Sequence, residues 1–262
     1  MPQARKRFGQ HFLHDQRIIE RILGLIDPQP GQNLLEIGPG RGALTYPLLQ
    51  RCKKLTAVEL DRDLVPILQR ESARFGELEV INADVLDFQL PALTDTNKYR
   101  LVGNLPYNIS TPLMFHLLKS VTLIEDMHFM VQNEVALRIG AAAGETNYGR
   151  LSVMLQYHCR CQYLIEVPPS SFTPPPRVDS AVIRLVPHQT AQRDIGDYEI
   201  FSQVVQTAFA QRRKTISNSL KTMVDKKAFA ACEIDPGLRA ENLSVDDFAR
   251  LSHNLYSENK HA

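Results

Sequence analysis

The 262-residue sequence predicts an α/β protein: a mainly parallel sheet of seven strands with helices on both faces, then a small all-helical domain. Three observations carry this prediction. Short apolar runs alternate with helix-length amphipathic segments as far as residue 188. After that point the strand-type runs stop while helical spacing continues. A glycine-rich loop, Gly38-Pro-Gly-Arg-Gly42, directly follows one of the apolar runs, as in a strand–loop–helix unit that brings backbone close to a ligand. The expected domains are residues 1–188 and 189–262.

The elements follow in order. Asp15 can cap a helix whose Ile18, Ile19, Ile22, Leu23 and Ile26 share one face, and Pro28, Pro30 and Gly31 stop it. Asn33–Ile37 reads as a buried strand, and the segment from Ala43 to Gln50 as a helix. A second strand, Lys54–Val58, ends in Glu59-Leu60-Asp61, and Asp61 can cap a helix containing Leu64, Val65, Leu68 and Phe75. The third strand, Leu78–Ile81, ends in Asn82-Ala83-Asp84, and the fourth, Tyr99–Gly103, runs into Asn104-Leu105-Pro106-Tyr107. Thr111-Pro112 places a cap and a first-turn proline in the favoured order for a helix. Met127–Val131 is a fifth strand, Glu134–Ile139 a helix, 141–148 a loop, and Leu151–Tyr157 a further helix. Strands near Cys161–Val167 and Ala181–Val186 complete the sheet, separated by the proline-stiffened segment Pro168–Ser180. Later helices are expected around Ile200–Phe209, Ile216–Met223, Phe229 and Val245–Leu255.

Composition sets the class. The chain is 44% hydrophobic and 23% charged, as expected of a soluble globular protein. No apolar run approaches a membrane span, and the basic start, Arg5-Lys6-Arg7, leads into Gly9-Gln-His-Phe-Leu13 instead of an apolar signal core. No membrane association and a cytoplasmic location are expected. The four cysteines form no C-x-x-C pair, which points to reduced structural thiols and no metal site. The net charge of +1 means that any nucleic-acid contact must rest on local clusters.

Ligands of an open parallel sheet sit beyond the carboxyl ends of its strands. Glu36, the loop glycines Gly38 and Gly40, Glu59, Asp84 and Asn104 all fall at such ends. A glycine loop with an acid about 20 residues later also fits a dinucleotide. Three features favour S-adenosylmethionine instead. The loop has a G-x-G-x-G form. Glu36 stands at its head, where a pyrophosphate would be repelled but a sulfonium or amino-acid end tolerated. Asp84 supplies an extra acceptor for an adenine amine, while Glu59 can accept from both ribose hydroxyls.

Asn104-Leu105-Pro106-Tyr107 then reads as the acceptor site for a planar exocyclic amine. Asn104 Oδ1 and the Pro106 carbonyl can hold the two amine hydrogens, Tyr107 can stack on one face of the base, and Phe172 on the other. An aromatic amine is a weak nucleophile because its lone pair is delocalised, so orientation should supply most of the acceleration.

Six motifs in order carry a resemblance: Gln10-His-Phe-Leu13, Glu36-Ile-Gly-Pro-Gly-Arg-Gly-Ala-Leu-Thr45, Glu59-Leu-Asp61, Asn82-Ala-Asp84, Asn104-Leu-Pro-Tyr-Asn-Ile-Ser110 and Phe172-x-Pro-x-Pro-x-Val-Asp-Ser180. Together they resemble the adenine N6-dimethyltransferases of ribosomal RNA, most closely the bacterial small-subunit type. The resemblance implies a Rossmann-like methyltransferase sheet and transfer of two methyl groups to each of two adjacent adenosines in a hairpin loop near the 3′ end of small-subunit (16S) rRNA. It also implies a role in subunit maturation, with the small ribosomal subunit as partner. By position, His11, Leu13, Gly38, Glu59, Asp84 and Asn104 would line the cofactor site, and Asn104, Tyr107 and Phe172 would place the adenine. His11 departs from the family's usual Asn, which makes cofactor binding open to pH. A monomer is expected.

RNA contact is expected from Arg5, Lys6, Arg7, Arg212, Arg213 and Lys214, with Lys221, Lys226 and Lys227 as further candidates. Three other readings compete. One is the large-subunit methyltransferase of the macrolide-resistance type, against which Val178–Leu185 and the balanced charge weigh. Another is a DNA-adenine or glutamine-amide methyltransferase, disfavoured by Leu105 where such enzymes carry proline. The last is an assembly factor that uses methylation as a release signal.

Overall fold

The structure is a computed structural model that describes residues 11–92, 97–190, 193–211 and 213–261. The expected RNA-contact residues Arg5, Lys6, Arg7 and Arg212 lie outside the described residues. Two compact units form. One comprises residues up to Ala136 together with Cys161–Pro187, and the other Leu137–Arg160 with His188–Ala262.

The first unit begins with the two-residue strand β1 (Phe12–Leu13) and helix α1 (Gln16–Ile26). The Asp15 carboxylate accepts from Arg17 N at the head of α1, and the five isoleucines and leucines expected on one face are all buried. The alternating part follows as β2 (Asn33–Ile37), α2 (Thr45–Cys52), β3 (Lys54–Glu59), α3 (Val65–Ser72), β4 (Glu77–Asn82), β5 (Tyr99–Asn104), α4 (Ser110–Leu118) and β6 (Ile124–Gln132). Then come α5 (Asn133–Gly140), which runs into the second unit, α6 (Arg150–His158) of that second unit, and then β7 (Cys159–Val167), β8 (Phe172–Thr173) and β9 (Ser180–Pro187). Several helix boundaries differ from expectation: α2 spans Thr45–Cys52 where the sequence suggests Ala43 to Gln50, and α3 begins after Leu64 without a side-chain cap, so Asp61 does not cap it. α3 ends at Ser72, so Phe75 lies beyond it and stacks on Tyr46 of α2 at 5.3 Å. α4 starts at Ser110, behind an Ile109 that offers no capping side chain.

Seven strands assemble in the order β4-β3-β2-β5-β6-β9-β7. β4 through β6 pair in parallel and β9 runs antiparallel to β6. β2 is buried along nearly its whole length because both faces are covered. Leu34 joins α1 and α2 in one apolar cluster, while Leu35 and Ile37 point to the other face, beside Leu117 of α4. The chain steps outward from β2 to β4 and returns to β5 on the other side of β2. The switch point therefore lies between the ends of β2 and β5, at Ile37 and Asn104.

Sequence periodicity does not reveal the pairing of β1 with β8. Phe12 lies opposite Thr173 and Leu13 opposite Phe172, and His14 N donates to Ser171 O at 3.0 Å. This fastens the segment before α1 to the proline-rich loop.

At the opposite end of the sheet, Asp126 of β6 is buried between two guanidiniums. Arg100 Nε and Nη2 donate to its two oxygens at 2.9 and 3.0 Å, and Arg184 Nη2 donates at 2.9 Å. Arg100 also donates to Gln32 Oε1 and to the Ile26 carbonyl at the end of α1. His128, equally buried, has its pKa pushed down to about 4, chiefly by burial, and is neutral at physiological pH.

The second unit adds α7 (Tyr198–Phe209), α8 (Ile216–Ser219), α9 (Lys226–Ala231) and α10 (Val245–His261). Beyond His188 no strand forms among the described residues; one isolated antiparallel bridge joins Thr215 and Arg239. The segment 137–160, which the sequence groups with the sheet, belongs to this helical unit. Aromatic packing explains it: Tyr157 meets Phe201 at 4.7 Å, Tyr148 meets Phe209, and Phe209 meets Phe248. α8 is shorter than the spacing of Ile216, Leu220 and Met223 suggests, and α10 is longer than expected.

Candidate active site

The ends of β2, β3 and β5 and the loop after β4 enclose a cavity of about 310 Å³. That volume is within the range of small-molecule sites. The glycine loop forms its floor. Gly38 and Gly40 have φ of 66° and 56°, conformations that a side chain disfavours. A Cβ on Gly40 would also press on the Phe12 ring at 3.3 Å. Phe12 thus covers the loop from the β1 side, and the Arg41 guanidinium lies 4.2 Å from its ring centre.

Glu59, at the end of β3, ties the loop to the sheet. Its Oε2 accepts from Gly40 N at 3.0 Å and its Oε1 from Asp61 N at 2.8 Å. Burial raises its pKa, and the two amides oppose the rise. Each oxygen keeps a lone pair for a further donor. Asp84 Oδ1 accepts from Leu86 N at 2.9 Å, which holds the carboxylate at the cavity wall. Glu36 is only 2% exposed, and its Oε2 has no hydrogen-bond partner. Its pKa is pushed up to about 8 by burial, against the nearby Thr45 hydroxyl, and the Glu59 charge adds to the rise.

Asn104 occupies the end of β5. Its Nδ2 donates to the His11 carbonyl at 3.1 Å, so the arm before β1 orients the amide. Beyond it, Leu105 N donates to Met130 O, and the Tyr107 hydroxyl shares a 2.7 Å hydrogen bond with Ser180 Oγ. His11 stacks on Tyr107, centroid to centroid 5.5 Å and 27° between planes. His11 Nδ1 lies 2.8 Å from the Pro174 carbonyl. A carbonyl only accepts, so Nδ1 carries the hydrogen, and the tautomer that the sequence leaves open is fixed.

Of the residues singled out in the sequence, His11, Leu13, Glu36, Gly38, Gly40, Glu59, Asp84, Asn104, Pro106 and Tyr107 all border this cavity. Two of the expected site residues have further partners in the fold. The Pro106 carbonyl accepts from Ile109 N at 3.1 Å and closes the turn before α4. The Leu105 carbonyl, one residue earlier, belongs to a residue that also borders the cavity. Phe172 does not border the cavity: it is 2% exposed, because its pairing with Leu13 directs it into the apolar cluster around α1. Sequence reasoning missed Phe12 as the cover of the loop and Ser180 as the anchor of Tyr107. Both lie inside motifs quoted above, but only the fold brings them to the site.

Two buried acids in the wall, Glu36 and Glu59, disfavour a pyrophosphate and suit a sulfonium nucleoside. An unpartnered buried oxygen at Glu36, a backbone floor free of side chains and a free carboxylate edge at Asp84 all fit that ligand. With the seven-stranded sheet, they place the molecule among the Rossmann-like methyltransferases that use S-adenosylmethionine.

More narrowly, the chain belongs to the ribosomal RNA adenine dimethylase family, whose description matches residues 1–256. It is 49% identical over 252 residues to the Ribosomal RNA small subunit methyltransferase A of Marinomonas sp. (strain MWYL1), covering 96% of this chain and 95% of that one. The protein of the same name from Xanthomonas campestris pv. campestris (strain B100) is 50% identical over 250 residues, covering 95% of each chain. Among solved structures, a dimethyladenosine transferase from Plasmodium falciparum matches with a TM-score of 0.78 at 25% identity, covering 92% of this chain and 96% of that one. The 23S rRNA methyltransferase ErmE matches at 0.71 and 27% identity, covering 93% and 99%. The chain is an S-adenosylmethionine-dependent methyltransferase that dimethylates adenine in ribosomal RNA.

Proposed function

We propose that the RNA is that of the small ribosomal subunit, that the targets are two adjacent adenosines of a hairpin loop near its 3′ end, and that the reaction accompanies subunit maturation in the cytoplasm. The observation that carries this is the Asn104-Leu105-Pro106-Tyr107 tongue at the cavity edge, in a chain about half identical to relatives named for the small subunit. The large-subunit alternative rests on a more distant likeness, at 27% identity.

In this reading Gly38 and Gly40 let the backbone approach the cofactor, Glu59 accepts from its ribose, Asp84 accepts from its adenine amine, and His11 and Leu13 close the wall. S-adenosylmethionine, when bound, supplies an electrophilic methyl group. Asn104 Oδ1 and the Leu105 carbonyl accept the two hydrogens of the target N6 amine and direct its lone pair into the cavity. Tyr107, anchored by Ser180, stacks on the base. The nitrogen gains positive charge as its new bond forms, so its proton leaves to solvent without a strong base. For the second methylation only one amine hydrogen remains, and one acceptor then suffices.

The enzyme acts as a monomer, and the helical unit supplies RNA contacts. Arg213, Lys214, Lys221, Lys226 and Lys227 are exposed. Lys226 and Lys227 stand in the first turn of α9, where the helix dipole disfavours cations. Their placement there supports a phosphate-binding role over simple solvation. Changing Arg213, Lys226 and Lys227 to Gln should flatten the dependence of log affinity on log salt by roughly 0.7–0.9 for each phosphate left unneutralised. Filter binding to small subunits at several salt concentrations measures it, and an unchanged slope removes these residues from the interface.

The reading as a whole is tested by supplying the protein with labelled S-adenosylmethionine and unmethylated small subunits, large subunits or DNA. Nucleoside mass spectrometry should find dimethyladenosine in the small-subunit sample. Product confined to large subunits would favour the alternative.

A further inference from the structure

One buried ionisable group has no part in the reaction just described. Glu36 sits one residue before the end of β2, paired with Ala57 of β3 and Val102 of β5. It borders the cavity, and its Oε2 has no protein partner. The charged and titratable groups around it offer no direct counter-ion. From β3 it faces Glu59, a second acid. From α2 it faces Thr45, Tyr46 and Cys52, and its charge helps to raise the pKa of both Tyr46 and Cys52. From β5 the neighbour is the apolar Val102. Arg41 of the glycine loop lies over the Phe12 ring.

A carboxyl in such a place is costly to ionise unless a cation arrives from the cavity. S-adenosylmethionine carries a sulfonium, and its spent form, S-adenosylhomocysteine, carries a neutral thioether. The two are otherwise alike, including the amino-acid end.

We propose that Glu36 determines specificity between cofactor and spent cofactor by exchanging a proton with the state of the sulfur, the ammonium being common to both: it is neutral when no sulfonium is in the cavity, ionises as S-adenosylmethionine binds, and takes the proton back once the sulfonium has become a thioether. The proton goes to solvent on binding and returns from solvent after transfer, so charge balances at each stage. The consequence is a site that favours the charged cofactor while releasing the neutral product, without any difference in shape between them. This inference rests on the cofactor assignment above.

Linkage gives the size and sign. Below the pKa of the free carboxyl, which lies at about 8, each unit fall in pH should weaken S-adenosylmethionine binding up to about tenfold. Above it the dependence should level off. S-adenosylhomocysteine should change by less than about threefold over the same range.

Isothermal titration calorimetry of the whole protein at pH 7, in buffers of different ionisation enthalpy, counts the protons directly. Close to one proton should be released with S-adenosylmethionine and far fewer with S-adenosylhomocysteine. Glu36→Gln, which mimics the neutral acid, should abolish the difference. A second measurement needs no ligand. Because the folded pKa is raised, Glu36 favours the folded state below its unfolded pKa, and this contribution is lost as pH rises through the folded value. The thermal stability of the ligand-free protein should therefore fall between pH 5 and pH 8.5 more steeply than that of Glu36→Gln. Equal proton release with both ligands, or release that survives in Glu36→Gln, overturns the proposal. Failure of either ligand to bind overturns the cofactor assignment instead.

Discussion

Replacing Asn104 with alanine should lower the rate of methyl transfer to unmethylated small subunits by about 10²–10³-fold. Two functions are lost at once. The side-chain carbonyl no longer fixes the amine, and the side-chain amide no longer donates to the His11 carbonyl. The first loss falls on turnover, because it removes an orienting hydrogen bond to the reacting nitrogen. The second falls on the arm before β1 and should weaken cofactor binding modestly. Single-turnover rates on saturated enzyme separate the two, and calorimetry with S-adenosylmethionine measures the second alone. A melting temperature within a few degrees of the wild type would exclude unfolding as the cause. A variant that kept more than a tenth of the rate would show that Asn104 does not hold the amine.

The largest stability effect should come from Asp126→Ala. This removal leaves the buried Arg100 guanidinium and the partly buried Arg184 without their shared carboxylate. Breaking one partner out of a buried pair costs about 3–5 kcal/mol, which for a chain of this size lowers the melting temperature by roughly ten degrees. The loss should extend to α1, because Arg100 also holds the Ile26 carbonyl at the end of that helix. Burial pushes the Asp126 carboxyl up, but Arg100, with Arg184, outweighs it and holds the pKa below the ordinary carboxylate range. The pair's contribution is therefore complete above the unfolded pKa of about 3.9 and is lost as pH falls through the lower folded value. Acid unfolding followed by circular dichroism should show the wild type losing stability below about pH 4, where the variant changes less. A variant within about 1 kcal/mol of the wild type would mean that the two arginines find other partners.

Much of the first unit was legible because its strands are buried on both faces and so read as apolar runs. β2 matches the expected Asn33–Ile37 residue for residue. α1 was legible from Asp15 and its isoleucine face. The strand-end residues that line the cavity could be picked out for the same reason, since locating the strands locates their ends. β1 and β8 were not found, because two-residue strands have no period to detect. Their pairing in turn decides that Phe172 lies in the apolar cluster around α1 and not among the residues lining the cavity. That the Pro106 carbonyl also closes a turn with Ile109 N is a local detail that composition does not signal. The extent of the helical unit was obscured because α6 is mostly buried and resembles a crossover helix, whereas its aromatic partners lie beyond residue 200.

The β1–β8 pairing has a consequence for how the protein is made. Phe12 is translated well before its partner Thr173, with more than half the chain between them. Contacts so distant in sequence form late in folding. On a growing nascent chain the glycine loop and the central strands can assemble well before Phe12 has anything to dock against. Cofactor capture should therefore mature late, only when the proline-rich segment has cleared the ribosome that is synthesising it.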